Sequence, residues 1–271
     1  MSSPSALEIV SRPSTERGHA DHGWLKTFHT FSFANYYDPS HSGFGSLRVL
    51  NEDRVLPGTG FGTHPHSEFE IFSYVVSGEL EHRDSMRNVE VLKRGDVQLT
   101  SAGTGIRHSE KTFGASPVHF LQIWAKPRVS RLVPKYFTRH FSDEEKTDKW
   151  VKVVAPVEAE GVLDKREGDG PAPVQSGVTM YATLLSEGNS LAHRLPLDGQ
   201  GKTRKVYVHV VQTSGYNDGS SSGARVKLSG EGKELELREG DGAYIAGLPE
   251  RELILENVGE GRAEIVLFDT E

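Results

Sequence analysis

Two short histidine motifs carry side chains that could bind a metal ion. His64-Pro65-His66 places two imidazoles at alternate positions, and His108-Ser109-Glu110 places an imidazole and a carboxylate in the same way. Residues i and i+2 of a β-strand point to the same face, so each motif can aim both side chains at one point. On neighbouring strands the two pairs would form a site of three imidazoles and one carboxylate. These donors suit a divalent ion such as Fe(II), Ni, Cu or Zn.

The rest of the sequence predicts the strands that would position these motifs. Residues 68–78 and 118–124 are rich in aromatic and β-branched side chains, and they end near Gly78 and Pro127. Helical turns are expected only near 134–136 and 143–147. Many short strands at close spacing predict an all-β barrel or sandwich. The further predicted strands are 46–49, 89–92, 97–100, 151–154, 179–185, 205–211, 234–237, 242–245, 253–257 and 264–268.

The two halves of the chain resemble each other. Residues 93–103 (KRGDVQLTSAG) are similar to 238–247 (REGDGAYIAG), and 74–78 are similar to 210–215 in the same order. A repeated strand plan indicates a duplicated barrel. Between the copies, residues 157–177 carry glycine, proline and charges without periodicity, as a linker does. We therefore expect an N-terminal metal-binding barrel over 1–155, a linker over 156–177 and a C-terminal barrel over 178–271.

The composition is that of a globular chain and excludes several kinds of site and partner. The 271 residues include no cysteine, which excludes disulfides, thiolate metal sites and a thiol nucleophile and fits a reducing compartment. The net charge is −7, and the basic residues are scattered rather than forming the stripe of a nucleic-acid binder. Neither a secretory signal nor a run of ~18–20 apolar residues is found. We expect a cytoplasmic protein with no direct nucleic-acid and no membrane partner.

The surroundings of the motifs resemble a known family. Twelve histidines in 271 residues would give roughly half an H-x-H pair by chance, so the pair alone means little. Here glycines precede His64, Glu70 and Gly78 follow it, and Gly95-Asp96 leads through Gly103 to His108, which resembles the two-part cupin signature. Closer still is the resemblance to the pirin family, which rests on RGH at 17–19, WLKTFHTFSFANYYDP at 24–39, FGTHPH at 61–66, GELEHRDS at 78–85 and SAGTGIRHSE at 101–110.

This resemblance implies two tandem cupin β-barrels of the jelly-roll type, a bicupin. It also implies one ion on His64, His66, His108 and Glu110 in the N-terminal barrel. In the C-terminal barrel, the repeat alignment places leucines 253 and 255 where His108 and Glu110 stand, and Gly201 and Thr203 where His64 and His66 stand. We therefore expect that barrel to bind no metal, with His193 and His209 structural or exposed.

Other polar and aromatic residues have plainer interpretations. Histidines without a paired partner are expected on the surface or hydrogen-bonded in the core, and aromatic residues are expected in the core. Glu68 and Glu70 are candidates for groups outside the ligand set, and Gln122 for a residue facing the cavity. The histidines are His29, His82, His119 and His140; the aromatic residues are Phe33, Tyr36 and Trp124; Arg107 is expected at the surface.

The pirin family suggests two functions. The chain resembles most the short bacterial pirin-like quercetin 2,3-dioxygenases, which cleave a flavonol ring with dioxygen and release carbon monoxide. The resemblance implies that Glu110 acts as catalytic base on the flavonol 3-hydroxyl while the histidines hold the ion. The longer members suggest the alternative, a non-catalytic iron-binding nuclear protein that acts as a redox-sensitive regulator through protein partners. We prefer the dioxygenase because the chain ends at 265–271 as the short members do.

The sequence leaves the ion and the substrate open. Fe(II) is the expected ion, and Ni, Cu, Mn and Zn accept the same donors. The expected partners are a flavonol-like aromatic molecule and dioxygen, with a protein partner and a nuclear location under the regulator hypothesis. Pirins are usually described as monomers, so a monomer is expected. An intact set of four ligands argues against a purely structural bicupin.

Overall fold

The computed structural model describes residues 7–197, 201–217, 219 and 222–271. Its helical parts are α1 (Asp143–Lys146) and the 3₁₀ turns Ser14–Glu16 and Pro39–His41. None of the helices in these residues is long and apolar enough to cross a membrane. The strands are β1 (Glu8–Arg12), β2 (Gly18–Asp21), β3 (Leu25–His29), β4 (Leu47–Val55), β5 (Gly60–His66), β6 (Glu70–Ser77), β7 (Glu79–Asp84), β8 (Val89–Lys93), β9 (Asp96–Ser101), β10 (Ile106–Thr112), β11 (Val118–Ala125), β12 (Lys135–His140), β13 (Val151–Pro156), β14 (Ala172–Val174), β15 (Thr179–Leu185), β16 (Ser190–Arg194), β17 (Arg204–Val210), β18 (Arg225–Gly230), β19 (Lys233–Arg238), β20 (Gly242–Gly247), β21 (Glu252–Asn257) and β22 (Ala263–Thr270).

The all-β prediction is confirmed, and each strand predicted from periodicity overlaps a strand of the structure. The helical turn expected at 143–147 corresponds to α1. The turn expected at 134–136 is wrong, because Lys135–His140 is strand β12 and pairs antiparallel with β9. Pairing with β9 determines the conformation there, and the local sequence does not reveal that pairing.

The chain folds into two compact units whose limits differ from the expected boundaries. The first unit comprises Gly18–Ser142 and Val153–Val178, and the second comprises the segment ending at Arg17, Asp143–Lys152 and Thr179–Glu271. The stretch expected as a linker therefore belongs to the first unit, where β14 runs parallel to β13. The N-terminal strand β1 belongs to the second unit, where it pairs with β20. Such pairings between distant segments leave no mark in local composition.

The first unit packs a four-stranded sheet, ordered β5-β10-β7-β8, against a seven-stranded sheet, ordered β12-β9-β6-β11-β4-β3-β2. Its interior is layered, because the inward residues of paired strands lie opposite one another. A polar layer lies between two apolar layers, which belong to separate buried clusters. Across β6 and β11 the successive inward pairs are Ile71 with Trp124, Ser73 with Gln122, and Val75 with Phe120.

The second unit repeats this plan, with the sheets β1-β20-β17-β22-β15 and β16-β21-β18-β19. The layer equivalent to Ser73, Gln98 and Gln122 consists here of Val208, Ala243 and Leu267, which are paired in the same way. Leu253 and Leu255, the expected counterparts of His108 and Glu110, are fully buried in the same apolar cluster.

One part of the repeat alignment is wrong. His193 lies opposite Leu253 just as His64 lies opposite His108, so His193 is the counterpart of His64, and Gly201 is not. The cause is the length of two segments. Residues 195–203, which connect β16 to β17, are more numerous than residues 67–69, which connect β5 to β6. The segment from Val208 to Gly215 is also longer than the segment from Ser73 to Gly78. His193 is structural, as expected: it lies in the interior, where its Nε2 is 2.9 Å from Asp269 Oδ1. His209 is also fully buried.

Candidate metal centre

Strands β5 and β10 bring three of the predicted ligands together. His108 lies directly opposite His64, and an irregularity in the pairing follows before Glu110. The ring centroids of His64, His66 and His108 are 4.6 to 4.8 Å apart. One ring nitrogen from each lies within 4.8 Å of the other two. The alternation that made these residues candidates therefore produces a convergent group of imidazoles.

The tautomer of His64 is fixed by the backbone. Its Nδ1 lies 2.7 Å from the carbonyl oxygen of Gly62, so Nδ1–H donates and Nε2 carries the lone pair. That Nε2 lies 3.2 Å from Nε2 of His108. A histidine held by a backbone carbonyl in this way is oriented as a ligand before any ion binds.

Burial keeps two of the imidazoles neutral. Desolvation, followed by the neighbouring imidazoles His82 and His64, lowers the pKa of His108 to about 3. Desolvation and the neighbouring His108 and His64 lower the pKa of His66 to about 4. Metal ligands must be deprotonated, so these rings are in the required state at neutral pH.

Glu110 lies beside this group with its carboxylate held by three donors. Oε1 accepts from Ser73 Oγ at 3.0 Å and from Gln98 Nε2 at 3.2 Å, and Oε2 accepts from Gln122 Nε2 at 2.7 Å. A carboxylate offers about four lone pairs, so Oε2 retains one. Gln122, a candidate for a residue facing the interior, is buried and points toward Glu110. These donors come from β6, β9 and β11, opposite the sheet that carries Glu110.

His82 is a site residue that sequence reasoning missed. It lies opposite Glu110 on β7, is fully buried, and its ring is 5.3 Å from the ring of His108. Tyr136 stacks on its other side at 4.8 Å. His82 Nε2 lies 3.3 Å from Asp84 Oδ2, so the expectation of a hydrogen-bonded core histidine describes it only in part. The His82-x-Asp84 spacing follows the same alternation rule as His64-x-His66 and could have revealed it.

Comparison with known proteins identifies the family. A family model for pirin matches residues 10–125. The chain is 40% identical over 205 residues to an Escherichia coli K12 protein named quercetin 2,3-dioxygenase, covering 75% of this chain and 81% of the relative. It is 35% identical over 223 residues to a pirin-like protein of Caulobacter vibrioides, covering 81% and 90%. The chain belongs to the pirin family.

A solved pirin supports both the fold and a metal. The crystal structure of the bacterial pirin YhhW from Escherichia coli in complex with nickel(II) matches with a TM-score of 0.78 and 34% identity, covering 97% of this chain and 99% of that one. With such a relative, the two-barrel prediction is confirmed. The donors of this pirin fit an ion as well, because neutral imidazoles converge beside a carboxylate and the buried Nδ1 of His108 has no hydrogen-bond partner in the described chain.

An aromatic wall borders the site. Trp124 was expected in the core, and it does pack against Phe33 and Phe69 with ring centroids 5.5 and 5.3 Å away. It is only partly buried, however, and its ring lies 4.9 Å from that of His66. A cleft of about 420 Å³ opens beside His66, lined by Pro65, His66, Ser67, Ser85, Gly105, Ile106 and Arg107. Arg107 is exposed, as expected.

The remaining candidates of this pirin lie away from the centre. Glu70 faces the other side of its strand, where it accepts from Ser101 Oγ at 2.6 Å and from the backbone N–H of Gln175 at 3.1 Å. Desolvation raises its pKa despite these bonds. Glu68 accepts from the backbone N–H of Arg131. His29, His119 and His140 are hydrogen-bonded to Asn51, Glu52 and Asp96, as the plainer interpretation required.

Proposed function

We propose that this pirin is a metal-dependent dioxygenase that acts on a flavonol-like substrate. The observation that carries the proposal is the carboxylate of Glu110, which is held in the interior beside convergent imidazoles and accepts from Gln122 Nε2. Relatives named quercetin 2,3-dioxygenase give the substrate class. Trp124, a partly buried aromatic residue beside His66, is the candidate contact for an aromatic substrate ring.

His64, His66 and His108 would hold the ion, with Glu110 as a neighbouring carboxylate. The nickel(II) complex of the Escherichia coli relative supports nickel, and the donor set also suits Fe(II), our expected ion. A bound ion supplies Lewis acidity, which stabilises the oxyanion of a deprotonated hydroxyl.

The residues of the chain handle the proton. Glu110 accepts the proton of the substrate hydroxyl at Oε2, the oxygen with a free lone pair. Ser73 and Gln98 keep Oε1 fixed meanwhile. The Oε1 atom of Gln122 is buried and has no partner among the described residues. Rotation of the Gln122 amide therefore turns its oxygen toward protonated Glu110 and holds the proton there.

The test measures the loss of quercetin absorbance under air, with oxygen uptake and carbon monoxide release. Samples of metal-free protein are loaded separately with Fe(II), Ni(II), Cu(II) and Mn(II). We expect turnover with one or more ions, and none in the metal-free protein or in Glu110→Gln. The amide of the variant fits the same pocket because Gln122 can rotate to accept from it.

Glu70→Gln is the matched control, since it removes a buried carboxylate outside the centre and should retain turnover. The proposal would be refuted if the protein bound the ions but none of the loaded samples turned over quercetin. Equal turnover by Glu110→Gln and the wild type would refute the role of Glu110 as base.

A further inference from the structure

A second group of donors lies deeper in the same interior. His82, His108 and Glu110 each place one ligand atom within 4.8 Å of the other two. These side chains are 0%, 1% and 1% exposed, whereas His64 and His66 are only partly buried. The two groups share His108, and no single group within that distance contains all four predicted ligands among the described residues.

The strand register produces this arrangement. On β7 and β10, His82 lies opposite Glu110 and Asp84 lies opposite His108. Directly opposed residues of an antiparallel pair point to the same face, so all four side chains enter the interior together. His82 is then held between the rings of Tyr136 and His108.

The hydrogen bonding of His82 is that of a metal ligand. Asp84 accepts from the backbone N–H groups of Met86 and Asn88 and from Asn88 Nδ2, so its carboxylate is fixed. The carboxylate faces Nε2 of His82, which makes Nε2–H the donor and leaves the lone pair on Nδ1. A carboxylate behind a histidine commonly fixes the tautomer and strengthens its donor nitrogen in metal sites.

Two of the three donor atoms that such a ligand set would use lack a hydrogen-bond partner among the described residues. Nδ1 of His82 and Nδ1 of His108 are both buried and without a hydrogen bond to any described residue. A buried polar atom requires a partner, and a cation between these two nitrogens would satisfy both. Two imidazole nitrogens and the remaining lone pair of Glu110 Oε2 offer three donors of the kinds that bind divalent cations.

We propose that the interior offers the ion a second position, formed by His82, His108 and Glu110. This inner position is the alternative to the outer one formed by His64, His66 and His108. Since His108 belongs to both, one ion occupies one position at a time. The inference concerns binding alone and goes beyond the proposed activity.

The test removes the outer position and asks whether an ion still binds. In His64→Ala/His66→Ala, we expect one Ni(II) per chain with weaker affinity, measured by calorimetry and elemental analysis. The loss of Ni(II) affinity should exceed the roughly 10–100-fold loss caused by removing a residue that only hydrogen-bonds a ligand, because two direct ligands are gone. Adding His82→Gln should abolish the remaining binding, and adding His119→Gln, a buried histidine elsewhere, should not.

An anomalous diffraction map of crystals of the double variant with Co(II) locates the ion. A peak within bonding distance of His82 and Glu110 supports the inner position. Absence of any bound ion in the folded double variant, or binding that is unchanged by His82→Gln, overturns it. If the alanine variant does not fold by circular dichroism, His64→Gln/His66→Gln replaces it, because glutamine fills more of the imidazole space. Failure of the quercetin assay leaves these outcomes intact.

Discussion

A double-mutant cycle in metal-free protein can measure how much the hydrogen bond between Gln122 and Glu110 contributes to folding stability. Gln122→Leu removes a donor 2.7 Å from a fully buried carboxylate and replaces it with a side chain of similar size. A hydrogen bond to a charged group contributes about 1.5–3 kcal/mol, so the free energy of unfolding should fall by about that amount. For a unit of this size, this corresponds to a Tm roughly 3–12 °C lower.

The same substitution should cost almost nothing when the carboxylate is absent. In a Glu110→Leu background, the leucine introduced at position 122 meets an apolar neighbour, as Leu267 meets Leu255 in the second unit. Replacing both partners of a buried polar pair by apolar groups is often neutral or stabilising. The coupling energy between the two positions should therefore exceed about 1 kcal/mol, well above the roughly 0.3–0.5 kcal/mol of independent sites.

The assay is urea unfolding followed by tryptophan fluorescence. Trp24 and Trp124 lie in the first unit and Trp150 in the second, so the signal reports mainly on the unit that contains the substitutions. Equal losses of stability from Gln122→Leu in both backgrounds would refute the argument, because the bond to Glu110 would then contribute nothing specific.

Three further predictions concern stability. Burial raises the pKa of Glu70, so the folded state binds its proton more tightly than the unfolded state, and folding stability is lost as pH rises through the folded-state pKa. Above pH 4.5, Glu70→Gln should therefore have a higher free energy of unfolding relative to the wild type than it has below pH 4.5. Denaturant titrations at several pH values measure this difference. Gly103 has φ 44° and a Cβ there would collide with the carbonyl oxygen of Leu132, so Gly103→Ala should lower the free energy of unfolding by more than about 3 kcal/mol. Gly58 has φ 74° with open space around it, so Gly58→Ala should lower it by only about 1–2 kcal/mol. Similar losses of stability in the two variants would contradict this. Ni(II) at 100 times its Kd should stabilise the first unit by about 2.7 kcal/mol in thermal unfolding, an effect that a chelator reverses and that His108→Ala should lack.

The ligand candidates could be predicted because alternation along a strand is a local property. His64, His66, His108 and Glu110 were proposed as ligands from two tripeptides. The register of β5 and β10 brings the three histidines together, whereas an irregularity between His108 and Glu110 leaves the carboxylate outside their group. His82 obeys the same rule but was missed, because its neighbour Asp84 was not considered with it. Its relation to Glu110 depends on the pairing of β7 with β10, which no single segment encodes.

Other features depended on distances along the chain that the sequence does not determine. The counterpart of His64 was misplaced because the connection before β17 and the segment from Val208 to Gly215 are both longer than their counterparts in the first unit. The limits of the compact units differ from the expected ones because β1 pairs with β20 near the other end of the chain, and because residues 157–178 pack with the first unit. By contrast, Leu253 and Leu255 were placed correctly because the segment from Gly240 to Leu255 has the same length as its counterpart.

The duplication makes the second barrel a natural reference for the first. Both have the same strand order, yet the layer that holds Glu110 in one copy is built from Val208, Ala243, Leu267 and Leu255 in the other. The architecture therefore tolerates either a set of polar donors or a hydrocarbon filling at the same level of the interior. At this level the two copies differ by four side-chain exchanges, and grafting the polar set onto the second copy would test whether its backbone can also hold a buried carboxylate.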